Sequence, residues 1–211
     1  MRALPRQTQL SLLAAVALCA CAPDLRVDHP FDGNGKCVDP TTKQEVDCAT
    51  IPLLTVTLSG MARDAILDAT NKTSQVFVDL DGDRELKSDA AFETNSWDLA
   101  FKRFEISTNG GAGNPGGVVE VAVLKGVDYE TLTKAPAEGY QQDGKDAVFA
   151  SVEGGWYFYD LGVHRLVTKQ ELTYVVHTSS GAYMKLKMGD YYDASGTPAM
   201  MAFRYQAIEA P

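Results

Sequence analysis

The chain has 211 residues with 19 basic against 28 acidic side chains, a formal net charge of −9, and 45% hydrophobic composition. That acidity excludes a nucleic-acid footprint, because phosphate contacts need a basic face. The length suits one globular domain with a sizeable core.

Residues 1–20 read as a targeting segment. Arg2 and Arg6 form a positive start, and the mostly apolar run from Leu10 to Ala20 is too short to span a bilayer. The run closes in Leu18-Cys19-Ala20-Cys21, the pattern of a bacterial lipobox, which makes Cys21 the predicted lipidated N-terminus. An ordinary cleaved signal peptide is the alternative. Cleavage takes the basic count from 19 to 17, leaving 191 residues with net charge −11. Ala22 after the cysteine is compatible with sorting to the outer membrane, on either face.

Residues 21–51 read as a linker rich in Pro, Asp, Gly and Asn. Cys37 and Cys48 are the only other cysteines of the exported chain, and oxidation would join them in a small loop worth up to about 3 kcal/mol. Two thiols without paired histidines make an incomplete zinc set. His29 in this linker reads as solvated.

From 52 to 211 the pattern is β nearly throughout. Leu53–Leu58 and Gln75–Leu80 are β-rich runs, with a short helix or bend expected over 61–70. In the stretch from Asn95 to Gly111, Trp97, Leu99 and Phe101 alternate with Asp98, Ala100 and Lys102. This predicts one strand with a single apolar face, running into a glycine-rich turn at Asn109-Gly110. A strand over 118–124 and a loop over 125–145 come next. Further strands are expected over 147–152, 156–160, 172–178, 183–188 and from Ala199 onward, with a compact turn at Ser179-Ser180-Gly181-Ala182. Short strands and frequent turns predict an all-β sandwich or barrel of antiparallel strands.

Few residues are arranged for chemistry. Asp79-Leu80-Asp81-Gly82-Asp83-Arg84-Glu85 fails as an EF-hand, with Arg84 at the glycine position and Ala90 at the bidentate glutamate position. An acidic turn is the plainer reading, and a calcium site of another type stays open. No Gly-x-Ser-x-Gly elbow, phosphate loop or His-Glu-x-x-His occurs, so an enzyme is not expected. His164 follows Trp156-Tyr157-Phe158-Tyr159-Asp160 across a short turn, and an imidazole beside aromatic walls suits a planar cofactor such as haem. A surface histidine is the competing reading. His177 falls out of phase with Leu172, Tyr174 and Val176, on a solvated face. Met184, Met188, Met200 and Met201 can ligate haem iron or simply fill a core.

Three segments carry a resemblance: Ser96–Arg103 running to Asn109-Gly110-Gly111; Gly154-Gly155-Trp156-Tyr157-Phe158-Tyr159; and Tyr174–His177 to Tyr183–Leu186 with Asp190-Tyr191-Tyr192-Asp193. In this order, behind a lipobox, they resemble the HmuY family, haem-binding lipoproteins of Gram-negative bacteria, over about residues 53–208. The resemblance implies a hand-like all-β fold that holds haem without covalent attachment, between His or Met axial ligands. It also implies haem scavenging, with transfer to an outer-membrane receptor. On this reading His164 is one ligand to the haem iron, Trp156, Tyr157 and Tyr159 line the pocket, and Met200 or Met201 can supply the second ligand. Residues 139–153, expected to provide that ligand, contain neither His nor Met. The alternative is the same tethered fold binding another small hydrophobic ligand or a protein partner.

Overall fold

The structure, a computed structural model, describes residues 36–38, 44–47 and 51–211, with backbone alone for 36–38 and 45–47. The targeting segment, the lipidation site Cys21, His29 and the Cys37–Cys48 pairing therefore lie outside the described residues or side chains. Within the predicted linker, β1 (Lys36–Val38) and β2 (Glu45–Asp47) form a two-stranded antiparallel ladder with Cys37 opposite Val46. No helix among the described residues is long and apolar enough to cross a membrane.

The following strands are β3 (Leu54–Ser59), β4 (Ala62–Asp68), β5 (Val76–Asp79), β6 (Arg84–Leu86), β7 (Leu99–Lys102), β8 (Glu105–Thr108) and β9 (Glu120–Lys125). After them come β10 (Tyr140–Gln141), β11 (Tyr157–Asp160), β12 (Arg165–Thr168), β13 (Leu172–His177), β14 (Tyr183–Met188) and β15 (Met200–Ala207). One short helix, α1 (Ser88–Thr94), lies between β6 and β7. A seven-stranded sheet runs β10-β9-β13-β14-β15-β4-β3, and a four-stranded sheet runs β6-β5-β7-β8. Both are antiparallel throughout. The architecture is a sandwich of two open sheets, and the barrel alternative does not hold.

The core forms where the inner faces of the two sheets meet. Leu67, Tyr174, Leu186, Met201, Phe203 and Tyr205 come from the large sheet, and Val76, Val78, Leu99, Phe101 and Ile106 from the small one. Phe101 stacks on Phe203 with ring centroids 5.4 Å apart. The predicted face of Ala199, Met201, Phe203 and Tyr205 is buried as alternation requires. Met184 and Met188 fill the core too.

Four expectations are corrected. Most of residues 61–70 are strand, β4, because Gly60 at φ +65 turns β3 directly back into it, with Ser59 opposite Ala62. Ala, Arg and Asp in this run have weak β propensity, and sheet pairing overrides it. The stretch around Trp97 is a hairpin rather than one strand: Arg103 takes a left-handed φ of 57° between β7 and β8. Nor does β7 have a single apolar face. Leu99 and Phe101 enter the main core, whereas Trp97 and Ala100 pack with Phe77 and Ala91 of α1 on the other side. Residues 148–150 form a single 3-10 turn that buries Val148 and Phe149.

The second face of β14 is likewise not solvent. The loop after β9 lies over it, with Lys185 nearly buried, its Nζ donating to the Tyr129 carbonyl at 2.8 Å and lying 4.4 Å from the Tyr129 ring centre. Burial pushes the Lys185 ammonium below its ordinary pKa.

Candidate functional site

β11 and β12 form a two-stranded hairpin separate from both large sheets. Its base is firmly packed. Trp156 is buried, its Nε1 donates to the Phe104 carbonyl at 3.1 Å, and its own carbonyl accepts from Lys169 N at 2.8 Å. Tyr157 sits 4.9 Å from the Trp156 ring and 5.8 Å edge-on from Phe104, and its burial pushes the phenol pKa up. The other strand rests on Tyr192, whose hydroxyl accepts from Leu166 N at 3.1 Å and whose ring carries the Arg165 guanidinium at 3.9 Å.

The tip is built differently. Asp160 Oδ1 accepts from Gly162 N at 2.7 Å, closing the turn, and His164 adopts a left-handed φ of 53°. Leu161 is 76% exposed and Val163 61%, and Phe158 and Tyr159 are about half exposed. Apolar residues in a turn contribute nothing to the core, so their exposure marks a surface that another molecule can cover. Tyr159 Oη and His164 Nδ1 lie 3.2 Å apart, joined by a hydrogen bond whose direction follows the histidine tautomer.

The sequence-derived site residues separate into three environments. Tyr159 and His164 meet at the exposed tip, while Trp156 and Tyr157 belong to the packed base. Met201 is fully buried in the main core, and Met200, half-buried, is its neighbour on β15. His177 is not simply solvated: half-buried, it stacks on Tyr183 with centroids 4.5 Å apart and planes 8° apart. Sequence reasoning missed Phe158, Leu161 and Val163. The available signal was Asp160-Leu161-Gly162-Val163, a turn sequence with branched apolar residues where polar ones are usual.

The acidic turn after β5 has a different construction. Asp79, Asp81 and Asp98 bring one oxygen each within 4.8 Å of one another. Asp98 is fully buried and ties the two sheets together, its Oδ2 accepting from Leu80 N at 2.8 Å and its Oδ1 from Ser179 N at 2.7 Å. Burial pushes the Asp98 carboxyl up to about 6 against those two N–H donors. Asp81 accepts from Ser180 Oγ at 2.9 Å, and Asp79 caps Gly82 N and pairs with Arg84 at 2.9 Å. Asp83 points to a separate set, pairing with Arg63 at 2.6 Å and accepting from Tyr205 Oη at 2.8 Å. The acidic run thus spreads its carboxylates over several anchoring bonds.

This sandwich with a projecting apolar hairpin has recognisable relatives. Residues 71–160 match the family described as HmuY protein, the family of the resemblance. The fold is similar to an HmuY-like protein from Bacteroides vulgatus at 17% identity, covering 74% of this chain and 97% of that one, with a TM-score of 0.53. It is also similar to the apo HmuY analog of Tannerella forsythia at 18% identity, covering 70% and 95%, with a TM-score of 0.55. No curated protein sequence matches this chain. The family match ends at Asp160, so it includes β11 and stops four residues before His164.

Proposed function

We propose that this chain is an exported, lipid-anchored protein that binds haem non-covalently on the β11–β12 hairpin, for scavenging or carriage. The observation that carries this reading is the hairpin tip, which leaves Leu161 and Val163 exposed beside the paired Tyr159 and His164. The residues suit the group. Imidazole and phenol are both iron donors, and an apolar flank suits a porphyrin face. Covering one such side chain contributes at most about 1.5–3 kcal/mol. Lipid attachment at Cys21 would hold the protein to the outer membrane, the Cys37–Cys48 disulfide would close a loop in the tether, and an outer-membrane receptor would take the haem onward.

Haemin titration of the exported protein tests the reading. The expected result is a saturable, sharpened Soret band, with binding weakened at least about tenfold, or about 1.4 kcal/mol, in His164→Ala. A broad spectrum of adsorbed haemin at every protein concentration overturns it.

One observation favours a second reading. Met201 is sealed in the core and residues 139–153 contain no His or Met, which leaves the half-buried Met200 as the one named candidate for a second axial ligand. The same hairpin would then grip a different small hydrophobic ligand or a protein partner, and haemin would not saturate.

A further inference from the structure

The contact between Tyr159 and His164 bears on which atom meets the iron, a question that rests on the haem reading above. A metal-bound imidazole is ordinarily held by a carboxylate or carbonyl that accepts from its other nitrogen. The carboxylate nearest in sequence, Asp160, is occupied with the turn, accepting from Gly162 N at 2.7 Å and Val163 N at 3.4 Å. The Nδ1 of His164 meets a phenol instead, at 3.2 Å. In the tautomer with the proton on Nε2, Nδ1 is an acceptor for the Tyr159 hydroxyl. The two residues are also held differently. Tyr159 sits on β11 in ladder register with Leu166, whereas His164 sits in the turn at a left-handed φ. A donor on a strand is placed more reproducibly than one on a turn.

We propose that Tyr159, as its phenolate, is the donor to ferric haem, and that His164 is the positioning residue that takes the phenol proton. The proton passes from Tyr159 Oη to His164 Nδ1, the oxygen–iron bond forms, and the water or chloride on the ferric haem leaves to solvent. The iron stays ferric. This arrangement supplies one anionic ligand from two adjacent residues and requires neither Met200 nor Met201 as a second protein ligand. Tyrosine is an established haem ligand, and its hard anionic oxygen favours ferric over ferrous iron. Chemical reduction of the iron is therefore expected to loosen the haem.

The test uses the full exported chain with haemin, followed by visible absorption and electron paramagnetic resonance. Wild type is expected to show a high-spin ferric signal and a phenolate-to-iron charge-transfer band, and to lose affinity at least about tenfold on reduction with dithionite. Tyr159→Phe is expected to lose the band and the preference for ferric haem together. His164→Ala weakens ferric binding but keeps a shifted band, and His164→Gln, which retains an acceptor, recovers part of the affinity. Both positions are exposed, so thermal unfolding of the apoproteins stays unchanged and separates these effects from misfolding. Saturable haem binding with an unchanged spectrum in Tyr159→Phe overturns this assignment and leaves the haem reading standing. A low-spin spectrum abolished only in His164→Ala does the same. Failure of wild type to bind haemin overturns both.

Discussion

The β11–β12 hairpin and the glycine-rich region around Asp143 treat polar and apolar groups in opposite ways. Asp143 is 5% exposed, and its carboxylate accepts from Thr108 N at 2.7 Å and Val148 N at 2.8 Å, while its carbonyl accepts from Ala112 N at 2.7 Å. Asn109 is fully buried and donates to the carbonyls of Trp97 and Asn95. Gly111 lies at φ +56, and a Cβ there would come within 2.1 Å of the Asp143 carbonyl. Here polar groups are buried and bonded, and their task is to hold loops in place. At the hairpin tip apolar groups are exposed and unused by the core. A buried, fully bonded carboxylate serves the structure, whereas the apolar side chains gathered at the tip form a surface that another molecule can cover.

The comparison breaks hardest at Asp143. Asp143→Ala removes the acceptor from two buried N–H groups, each costing about 1–3 kcal/mol to leave unmade, so a loss of about 2–6 kcal/mol is expected in urea unfolding. A loss below about 1 kcal/mol would mean that water replaces the carboxylate, and the loop would not depend on it.

Asp98 sharpens the same point through pH. Its folded pKa is raised from 3.8 to about 6 by burial, so the folded state binds the proton more tightly than the unfolded chain. The associated stability is fully present below about pH 4 and is lost as pH rises through about 6, an effect on the order of 3 kcal/mol. Glu85, raised mainly by burial, contributes with the same sign. Asp64, lowered by its Arg204 partner, has the opposite sign and is nearly solvent-screened. Unfolding measured from pH 4 to 7 is expected to show declining stability in wild type and a flatter profile in Asp98→Asn. Equal slopes in the two proteins would assign the pH dependence elsewhere.

What was legible in the sequence follows the same division. Alternation identified β15, whose one face is core, whereas β13 and β14 were found as β-rich runs although both of their faces are covered, and the family motifs gave the fold. Alternation failed for β7, which is buried on both faces because α1 covers the outer one, and for β4, whose Ala, Arg and Asp carry little β signal. The carboxylate bonds of Asp98 and Asp143 span 81 and 35 residues, distances at which no local pattern operates. At the candidate site His164 and its aromatic neighbours were legible. The division of Trp156 and Tyr157 into the base and Tyr159 into the tip depends on Phe104, Tyr191 and Tyr192 packing from distant segments.

The smallest stability effect is expected where the functional effect is clearest. Replacing Leu161 and Val163 together by serine removes two side chains that are 76% and 61% exposed. They have little core contact to lose, so unfolding should shift by no more than about 0.5 kcal/mol. Haemin affinity should nevertheless fall about tenfold or more, since apolar area available for covering on binding is lost at about 25 cal/mol per Å². The Tyr159–His164 contact is left intact by these changes, so the iron spectrum of whatever haem still binds should match wild type. A large drop in stability would show that the tip packs against the body of the protein. Unchanged affinity with unchanged stability would show that haem is held elsewhere, and would return the exposed tip to the role of a surface for a protein partner.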